Sequence, residues 1–248
     1  MSAVRRVVSL VPSLTEAVAV SAPGRLVGVT DWCTHPEDLG DAVRIGGTKN
    51  PDVPTVIGLR PDLVIANEEE NRAADLAALE AAGVRVLVTG IRTLPQAFAE
   101  LERVLVGALG LARPGWLDDA EAAWARVEPL PAVRAVVPVW RRPWMVLGRD
   151  TFAGDVLARL GVGNVYAGHA ERYPRIRPQD PAIADCDLVV LPDEPYRFTS
   201  GDGPEAFPGL PAALVSGRHL TWYGPSLVRA PAVLAQALRA ARPYRSRD

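Results

Sequence analysis

Short apolar runs alternate with helix-forming stretches along the whole chain, and this alternation is the feature that most constrains its fold. Four runs in the first half have the length and continuous hydrophobicity of buried strands: 6–11, 25–29, 63–66 and 84–89. Helix candidates lie at 13–20, 71–82 and 94–111, the second opened by Asn71 and stopped by Gly83. Strands that alternate with helices form mostly parallel sheets, so residues 1–112 are predicted to form one α/β lobe.

The same alternation begins again after a connecting stretch. Segment 113–130 contains WLDDAEAAWARV, which is rich in good helix formers and has Pro114, Pro129 and Pro131 around it. Further strand candidates follow at 133–139, 144–147, 188–191 and 213–216, with helix candidates at 151–160 and 225–241. We therefore predict an α/β fold of two lobes with mostly parallel sheets, 1–112 and 131–248, joined by a single long helix in 113–130.

The two lobes share a short echo. Asp62 and Asp187 each precede a buried strand, in PDLVI and CDLVV, and they lie 125 residues apart. Entry into a buried strand by Asp-Leu-Val is common in α/β proteins, so the echo supports two similar lobes without proving them.

Composition excludes several classes of protein. Hydrophobic residues make up 48% of the chain and the formal net charge is −2, which argues against a disordered chain and against a nucleic-acid partner. The longest run without charge, Ala206 to Gly217, has twelve residues and contains Pro208 and Pro211, so no membrane-spanning helix is predicted. The two cysteines, Cys33 and Cys186, are too few for a disulfide framework.

The first residues resemble a short signal peptide, since Arg5 and Arg6 precede VVSLVPSLT. Pro12 and Glu16 interrupt that apolar stretch, and Ser13 to Glu16 has the pattern of a capping box that opens a helix. No cysteine lies nearby to take a lipid. A cytoplasmic location is therefore predicted, with export as the alternative.

The stretch TDWCTHP, residues 30–36, raises the question of chemistry. If it is extended, as Pro36 favours for His35, Asp31, Cys33 and His35 project to one side. Cys33 and His35 could then act as nucleophile and base on a small carbonyl substrate, but no oxyanion-hole loop or orienting group is identifiable. A closed zinc site would need a fourth ligand, and His169 and His219 are better explained as turn residues. His35 alone could serve as an axial ligand to a metal held by a macrocycle.

Phosphate-loop, GxSxG, HExxH and SxxK signatures are absent from the chain, which favours a protein that is not an enzyme. Aromatic residues instead gather at loops and strand ends, where α/β lobes build their binding sites. They are Trp32, Trp140, Trp144, Tyr173, Tyr196, Phe198, Trp222 and Tyr223. This distribution favours a flat apolar ligand.

The order of segments resembles a known family. VVSLVPSLTE, RLVGVTDWCTHP, RIGGTKNP, GLRPDLVIANEEENR and AAGVRVLV in the first lobe, then FAGDVLARLGVGNVY and RPQDPAIADCDLVVL, are together similar to the class III solute-binding proteins, or helical-backbone metal receptors. That family includes the cobalamin-binding proteins of ABC importers and binders of haem and ferric siderophores. The resemblance implies two α/β lobes, a long rigid helix and a ligand cleft between the lobes.

The resemblance also suggests site residues. Family aromatics that line the cleft fall on Trp32 or His35 and on Tyr173, whereas Asn67 stands where another aromatic is expected, so the ligand can differ. The expected ligand-binding residues are Trp32, His35, Lys49, Asn67, Tyr173, Tyr196 and Trp222, with His35 as the candidate axial metal ligand. The predicted function is non-enzymatic binding, by a monomer that needs no cofactor, of cobalamin or another corrinoid first and of haem or a ferric siderophore second.

Importer-fed members of the family carry one exposed glutamate on each lobe that docks onto permease arginines. Pro54 and Gln179 stand at these positions, although Asp52 and Asp180 lie close enough to substitute. The loss of both glutamates suggests that ligand is not delivered to a permease in the usual way, and use of a permease is left open. Two alternatives remain: an exported receptor that feeds a cobalamin or iron-chelate importer, and a cytoplasmic enzyme that uses Cys33 and His35.

Overall fold

A computed structural model describes residues 3–243 of the chain, which divide into two compact units. Unit 1 comprises the described residues up to Ile91, together with Pro95–Asp119 and Tyr223–Pro225. Unit 2 comprises Arg92–Leu94, Ala120–Trp222 and the described residues from Ser226 onward.

Unit 1 is built on a parallel sheet of five strands. In chain order the strands of this unit are β1 (Val7–Ser9), β2 (Leu26–Val29), β3 (Val43–Arg44), β4 (Gly46–Gly47), β5 (Asn50–Pro51), β6 (Leu63–Asn67) and β7 (Val86–Thr89). The sheet has the order β3-β2-β1-β6-β7, and all its pairings are parallel. β4 and β5 form a separate antiparallel hairpin. All five residues of β6 are buried, which explains its unbroken apolar sequence.

Unit 2 repeats this plan with one antiparallel edge strand. Its strands are β8 (Val133–Val136), β9 (Pro138–Trp140), β10 (Met145–Val146), β11 (Val162–Asn164), β12 (Leu188–Pro192), β13 (Pro211–Val215) and β14 (Arg242–Pro243). The main sheet has the order β11-β8-β12-β13-β14, in which β14 alone is antiparallel to its neighbour. The predicted fold class, two α/β units with mostly parallel sheets, is confirmed.

Six of the helices lie at predicted positions with changed ends, whereas two short ones, Val53–Gly58 and Gly217–Thr221, were not predicted. In chain order the helices are α1 (Pro12–Ser21), α2 (Val53–Gly58), α3 (Ala73–Ala81), α4 (Leu94–Glu102), α5 (Gly115–Ala125), α6 (Phe152–Arg159), α7 (Gly217–Thr221) and α8 (Ala230–Arg239). The predicted helix 94–111 is α4 followed by a π-helix, Arg103–Ala108. Within residues 3–243, no helix is both long and apolar enough to cross a membrane.

Segment 113–130, predicted to join the lobes, contains α5. This helix has 11 residues and is shorter than the segment, and the division between the two units falls within it, after Asp119. The chain leaves the helix soon afterwards because Pro129 and Pro131 cannot continue it.

Two predicted helix caps are wrong. α1 begins after Val11 with Pro12 at its start and has no side-chain cap, so Ser13 and Glu16 form no capping box. Pro12 fits the first turn because its missing N–H would have no helical partner there. The residue before α3 is Arg72 rather than Asn71, and the Asn71 amide is used for contacts between loops instead.

The echo between the lobes has a physical counterpart. In unit 1 the Asp62 carboxylate accepts hydrogen bonds from the backbone N–H groups of Arg5 and Arg6, both at 2.8 Å, while the Asp62 N–H donates to the Arg6 carbonyl. In unit 2 the Asp187 carboxylate accepts from the Arg134 N–H at 2.8 Å, and the Asp187 N–H donates to the Arg134 carbonyl. Each aspartate thus ties the start of a buried strand to the central strand beside it.

Candidate ligand-binding site

Each sheet has a topological switch point, where successive connections leave in opposite directions. In unit 1 this point lies at the carboxyl end of β1, which has β2 on one side and β6 on the other. In unit 2 it lies at the carboxyl end of β8, between β11 and β12. Ligands of open α/β sheets bind beside such points, so the loops that follow these strands are the candidate site of each unit.

The Trp32 loop, residues 30–36, follows β2. It turns rather than extends, because the Cys33 N–H donates to the Thr30 carbonyl at 3.1 Å. As a result Asp31 and Trp32 are exposed while Cys33 is fully buried, and the expected projection of Asp31, Cys33 and His35 to one side is wrong. Trp32 lies at the tip of this turn and is 65% exposed, an unusual state for a large apolar ring.

Four groups fix the base of the Trp32 loop. The Arg44 guanidinium donates to the carbonyl oxygens of Thr30 at 2.7 Å and Cys33 at 2.9 Å. The Cys33 sulfur lies 3.0 Å from the Thr15 hydroxyl and 3.2 Å from the Thr30 hydroxyl. The Asp31 N–H donates to the Gly46 carbonyl of β4. Trp32 is therefore presented by an anchored turn.

Cys33 is poorly suited to act as a nucleophile. Burial raises the pKa of its thiol, against the smaller opposing effects of the two hydroxyl hydrogen bonds and of Arg44. A thiol with a raised pKa carries little of the reactive thiolate near neutral pH. The His35 ring is partly buried, and its Nδ1 lies 3.1 Å from the Thr34 hydroxyl.

The hairpin of β4 and β5 lies beside the Trp32 loop. At Gly47 an added Cβ would lie 3.5 Å from the Trp32 indole nitrogen and would collide with the Asn50 side chain, so the absence of a side chain keeps this approach open. Lys49, in the turn of the hairpin, donates from its ammonium group to the Glu69 carbonyl. The lysine thus joins the hairpin to the loop after β6.

Asn67, at the end of β6, is only 2% exposed and belongs to a polar network. Its amide donates to the Thr89 hydroxyl at 3.1 Å and accepts from the Glu69 N–H at 2.9 Å, while its own N–H donates to the Asn71 amide. The Asn71 amide donates in turn to the carbonyl oxygens of Leu10 and Thr48. The structure therefore places Asn67 beneath the loop after β6, where its amide orients the backbone.

Sequence reasoning missed a carboxyl–phenol pair in unit 1. The Tyr223 hydroxyl donates to the Glu70 carboxyl at 2.9 Å, although the two residues are 153 positions apart. Burial raises the pKa of Glu70 to about 7, and the nearby charge of Glu69 raises it further. The Tyr223 hydrogen bond and the charge of Lys49 lower this pKa by smaller amounts. Burial and the nearby Glu70 charge also raise the pKa of Tyr223.

This pair predicts a pH-dependent stability. The folded pKa of Glu70, about 7, lies above its ordinary value of 4.5, so the folded protein holds this proton more tightly than the unfolded chain. The resulting stabilisation is fully present below about pH 4.5 and is lost as the pH rises through 7. Urea unfolding should show that the free energy of unfolding of the wild-type protein decreases as the pH is raised from 4.5 to above 7. The decrease should be smaller for Glu70→Gln.

Glu80→Gln is the matched control for this experiment, because Glu80 is an exposed glutamate on α3 of the same unit. It should keep the wild-type pH dependence. If Glu70→Gln and Glu80→Gln follow the same curve, the raised pKa of Glu70 does not contribute to stability.

Unit 2 carries its candidate aromatics after the carboxyl ends of its own strands. Tyr173 is partly buried in the connection that follows β11, and Tyr196 is partly buried after β12. The Tyr196 hydroxyl donates to the Asp202 carboxylate at 2.6 Å. Trp222 follows α7 and is 7% exposed, with its indole N–H directed at the Glu194 carboxylate at 3.3 Å. Burial raises the pKa of Glu194, and the Trp222 hydrogen bond opposes this shift.

The remaining histidines make local contacts in unit 2. The His169 Nδ1 accepts a hydrogen bond from the Glu171 N–H at 3.0 Å, and the His219 Nδ1 lies 2.9 Å from the Ser216 hydroxyl. In the part of the chain that the structure describes, no three His, Cys, Asp or Glu residues are grouped so that they could hold a metal ion.

The residues at the positions expected for permease docking are exposed in each unit. Pro54 is exposed in the first turn of α2, and Asp52 before it accepts from the N–H and hydroxyl of Thr55. Gln179 is exposed before a short 3-10 helix, Pro181–Asp185, whose N-cap is Asp180. Both aspartates thus occupy helix starts next to the expected docking positions.

Curated proteins of similar sequence are binding proteins. The vitamin B12-binding protein of Vibrio vulnificus is 25% identical over 179 residues, which cover 70% of this chain and 66% of that protein, just under two thirds of its length. An uncharacterised ABC transporter substrate-binding lipoprotein of Bacillus subtilis is 35% identical over 104 residues, covering 40% of this chain and 33% of that protein. No protein-family model matches the chain.

Solved structures share the fold over nearly the whole chain. The periplasmic vitamin B12-binding protein of Vibrio cholerae has a TM-score of 0.72 at 18% identity, covering 95% of this chain and 97% of the other. A periplasmic haem-binding protein of Pseudomonas aeruginosa has a TM-score of 0.73 at 25% identity, covering 98% and 96%.

The predicted cytoplasmic location is wrong. The similar proteins are described as periplasmic or as a lipoprotein, which points to export, the alternative that the sequence left open. The expected resemblance is confirmed, because the chain is similar in sequence to vitamin B12-binding proteins and shares the fold of a periplasmic vitamin B12-binding protein.

Proposed function

We propose that the chain is a non-enzymatic binding protein for a tetrapyrrole-like or metal-chelate ligand, with cobalamin or another corrinoid as the first choice and haem or a ferric siderophore as the second. The observation that carries this proposal is Trp32, a ring 65% exposed at the tip of an anchored turn beside a topological switch point. The similar vitamin B12-binding and haem-binding proteins support the same class of ligand.

The chemistry of the Trp32 loop suits a flat ligand. A tryptophan ring gains most by covering an apolar face, and the anchored backbone lowers the entropy lost when the ligand binds. His35, three residues further on, could supply one imidazole nitrogen to a metal that the macrocycle already holds. Lys49, Tyr173, Tyr196 and Trp222 remain proposed ligand contacts, and Asn67 a proposed support for the loop after β6.

A binding role is also favoured over catalysis by the state of Cys33. Its thiol is buried and its pKa is raised, so the cysteine–histidine mechanism lacks its nucleophile. Delivery to an ABC permease is the proposed cellular role, in line with the substrate-binding lipoprotein among the relatives. Asp52 and Asp180 are the acidic groups that would take the place of the missing docking glutamates.

A spectroscopic titration tests the proposal. Purified protein is titrated with hydroxocobalamin and, separately, with haemin, and each mixture is passed through a gel-filtration column. We expect at least one ligand to be retained and to show a shifted visible spectrum. A ferric siderophore is then tested in the same way, and if none of the three ligands is retained or changes its spectrum, the proposed function is wrong. The His35→Ala variant separates the two contributions, since a lost spectral shift with retained binding identifies His35 as the axial ligand.

A further inference from the structure

Trp140 is a second exposed aromatic residue at a switch point, this time in unit 2. It ends β9, which is separated by one residue from β8, the strand that lies between β11 and β12. Its ring is 43% exposed, although Val137 and Val139 before it are buried. Within residues 3–243, Trp32 and Trp140 are the aromatic members of the set of exposed large apolar side chains.

The Trp140 ring is held from within its own unit. It meets the Tyr196 ring edge to face, with centroids 5.7 Å apart and planes at 80°. Tyr196 in turn packs against Phe198, with centroids 4.7 Å apart. Its hydroxyl donates to Asp202 at 2.6 Å, so the tyrosine is fixed at its ring and at its polar end.

The residue after Trp140 is fixed by charge. Arg141 forms ion pairs with Asp202 and, at 2.6 Å, with Glu205. Its guanidinium also lies 5.2 Å from the centroid of the Trp144 ring. Asp202 therefore accepts a hydrogen bond from Tyr196 and also pairs with Arg141. The residue that packs against Trp140 and the residue that follows Trp140 are thus held by the same carboxylate.

The charge of Arg141 is engaged within unit 2. Its guanidinium is paired with two carboxylates, whereas the side chain of Arg142, the next residue, is exposed. The exposed ring of Trp140 is apolar, and covering it with a flat, uncharged face of a ligand removes apolar surface from water. A rigid support lowers the entropic cost of such a contact.

We infer that Trp140 is a ligand-stacking residue for the uncharged face of the macrocycle, and that Tyr196 is a positioning residue which holds the Trp140 ring. This inference rests on the proposed function. It changes the role of Tyr196, expected from the sequence to contact the ligand itself. It also adds Trp140 to the ligand-binding residues proposed in unit 2.

The test measures the Kd for hydroxocobalamin, or for haemin if that is the ligand the wild-type protein retains. Trp140→Ala should weaken binding about ten-fold or more, as expected for loss of a preorganised aromatic anchor. Trp140→Phe should recover part of the loss. Val20→Ala is the control, because Val20 is a 49% exposed apolar side chain on α1, away from the loops that follow the strands, and its Kd should equal that of the wild type.

A double-mutant cycle tests the role of Tyr196. Tyr196→Phe removes the hydroxyl that binds Asp202 and should weaken binding about three-fold in the wild-type background, but not in the Trp140→Ala background. An equal loss in both backgrounds would overturn the positioning role.

Each remaining outcome is decisive. A wild-type protein that binds ligand while Trp140→Ala binds equally well overturns the stacking role of Trp140 and leaves the proposed function intact. A wild-type protein that binds neither hydroxocobalamin nor haemin overturns this inference, and one that also binds no ferric siderophore overturns the proposed function with it. Thermal unfolding of every variant confirms that the losses do not come from unfolding.

Discussion

Trp32→Ala should bind the ligand that the wild-type protein retains about 10- to 100-fold more weakly, with almost no change in stability. Covering about 100 Å² of the ring at about 25 cal/mol per Å² corresponds to about 2.5 kcal/mol, which lies within this range. Stability should be kept because the ring is 65% exposed and the turn is anchored through other groups. Spectroscopic titration gives the affinity, and thermal unfolding gives the stability.

Val43→Ala is the matched control for Trp32. Val43 lies in β3 of the same unit and is 41% exposed, but it is not in the Trp32 loop. Its variant should bind like the wild type. If Trp32→Ala and Val43→Ala have the same Kd, Trp32 is not a stacking residue and the exposed ring must be explained in another way.

The longer buried strands were predictable because each is a local pattern, whereas the short strands β3, β4, β5, β11 and β14 were not predicted. The apolar run at 63–66 becomes β6, and all five residues of that strand are buried, so hydrophobicity alone marks it. The run at 188–191 becomes β12 for the same reason. The aspartates before these two strands, Asp62 and Asp187, made the repeat visible in the sequence because each has a fixed role in its sheet.

The conformation of the Trp32 loop was harder to predict. Pro36 favoured an extended segment, but the buried position of Cys33 between Thr15 and Thr30 turns the chain. The burial of the thiol depends on α1 and β2 packing nearby, and residue spacing does not report such packing. Asn71 is similar, since its pattern fits a helix cap but its amide binds Leu10 and Thr48.

Contacts between distant residues lay beyond sequence reasoning. Glu70 and Tyr223 are 153 positions apart, and neither belongs to a motif that predicts the other. Trp140 gave a weaker signal, because an aromatic residue at the end of a predicted strand suggests a site but does not say whether the ring is buried. The edge-to-face support from Tyr196 could be seen only once the fold placed β9 beside the loop after β12.

Gly148→Ala should cause the largest loss of stability among the variants considered. A methyl group at this position would overlap the Glu171 carbonyl oxygen and would lie 2.9 Å from Pro174 Cδ and 3.1 Å from the Arg172 carbonyl oxygen. The backbone of 171–174 cannot move away easily, because the Gly148 N–H donates to Arg172 at 2.7 Å and the Val146 N–H donates to Pro174 at 3.1 Å. The expected cost is about 3 kcal/mol, as for other overpacked sites.

Gly168→Ala separates this collision from the general effect of replacing a glycine. No atom lies within 4 Å of an added Cβ at Gly168, and its φ is not in the left-handed region, so its variant should be neutral or slightly more stable. Thermal unfolding should show Gly148→Ala several degrees below the wild type and Gly168→Ala at or above it. Equal melting temperatures would mean that the 171–174 segment yields without cost.

The same substitution bears on ligand binding, because Tyr173 lies in the segment that must move. If Tyr173 contacts the ligand, Gly148→Ala should weaken binding even at a temperature where the protein remains folded. Tyr173→Ala supplies the comparison, since it removes the side chain without disturbing the backbone pairing of Gly148 and Arg172. Similar losses of affinity in both variants indicate that Gly148 acts by placing Tyr173. An unchanged Kd in Tyr173→Ala would remove this tyrosine from the binding site and leave Gly148 a purely structural role.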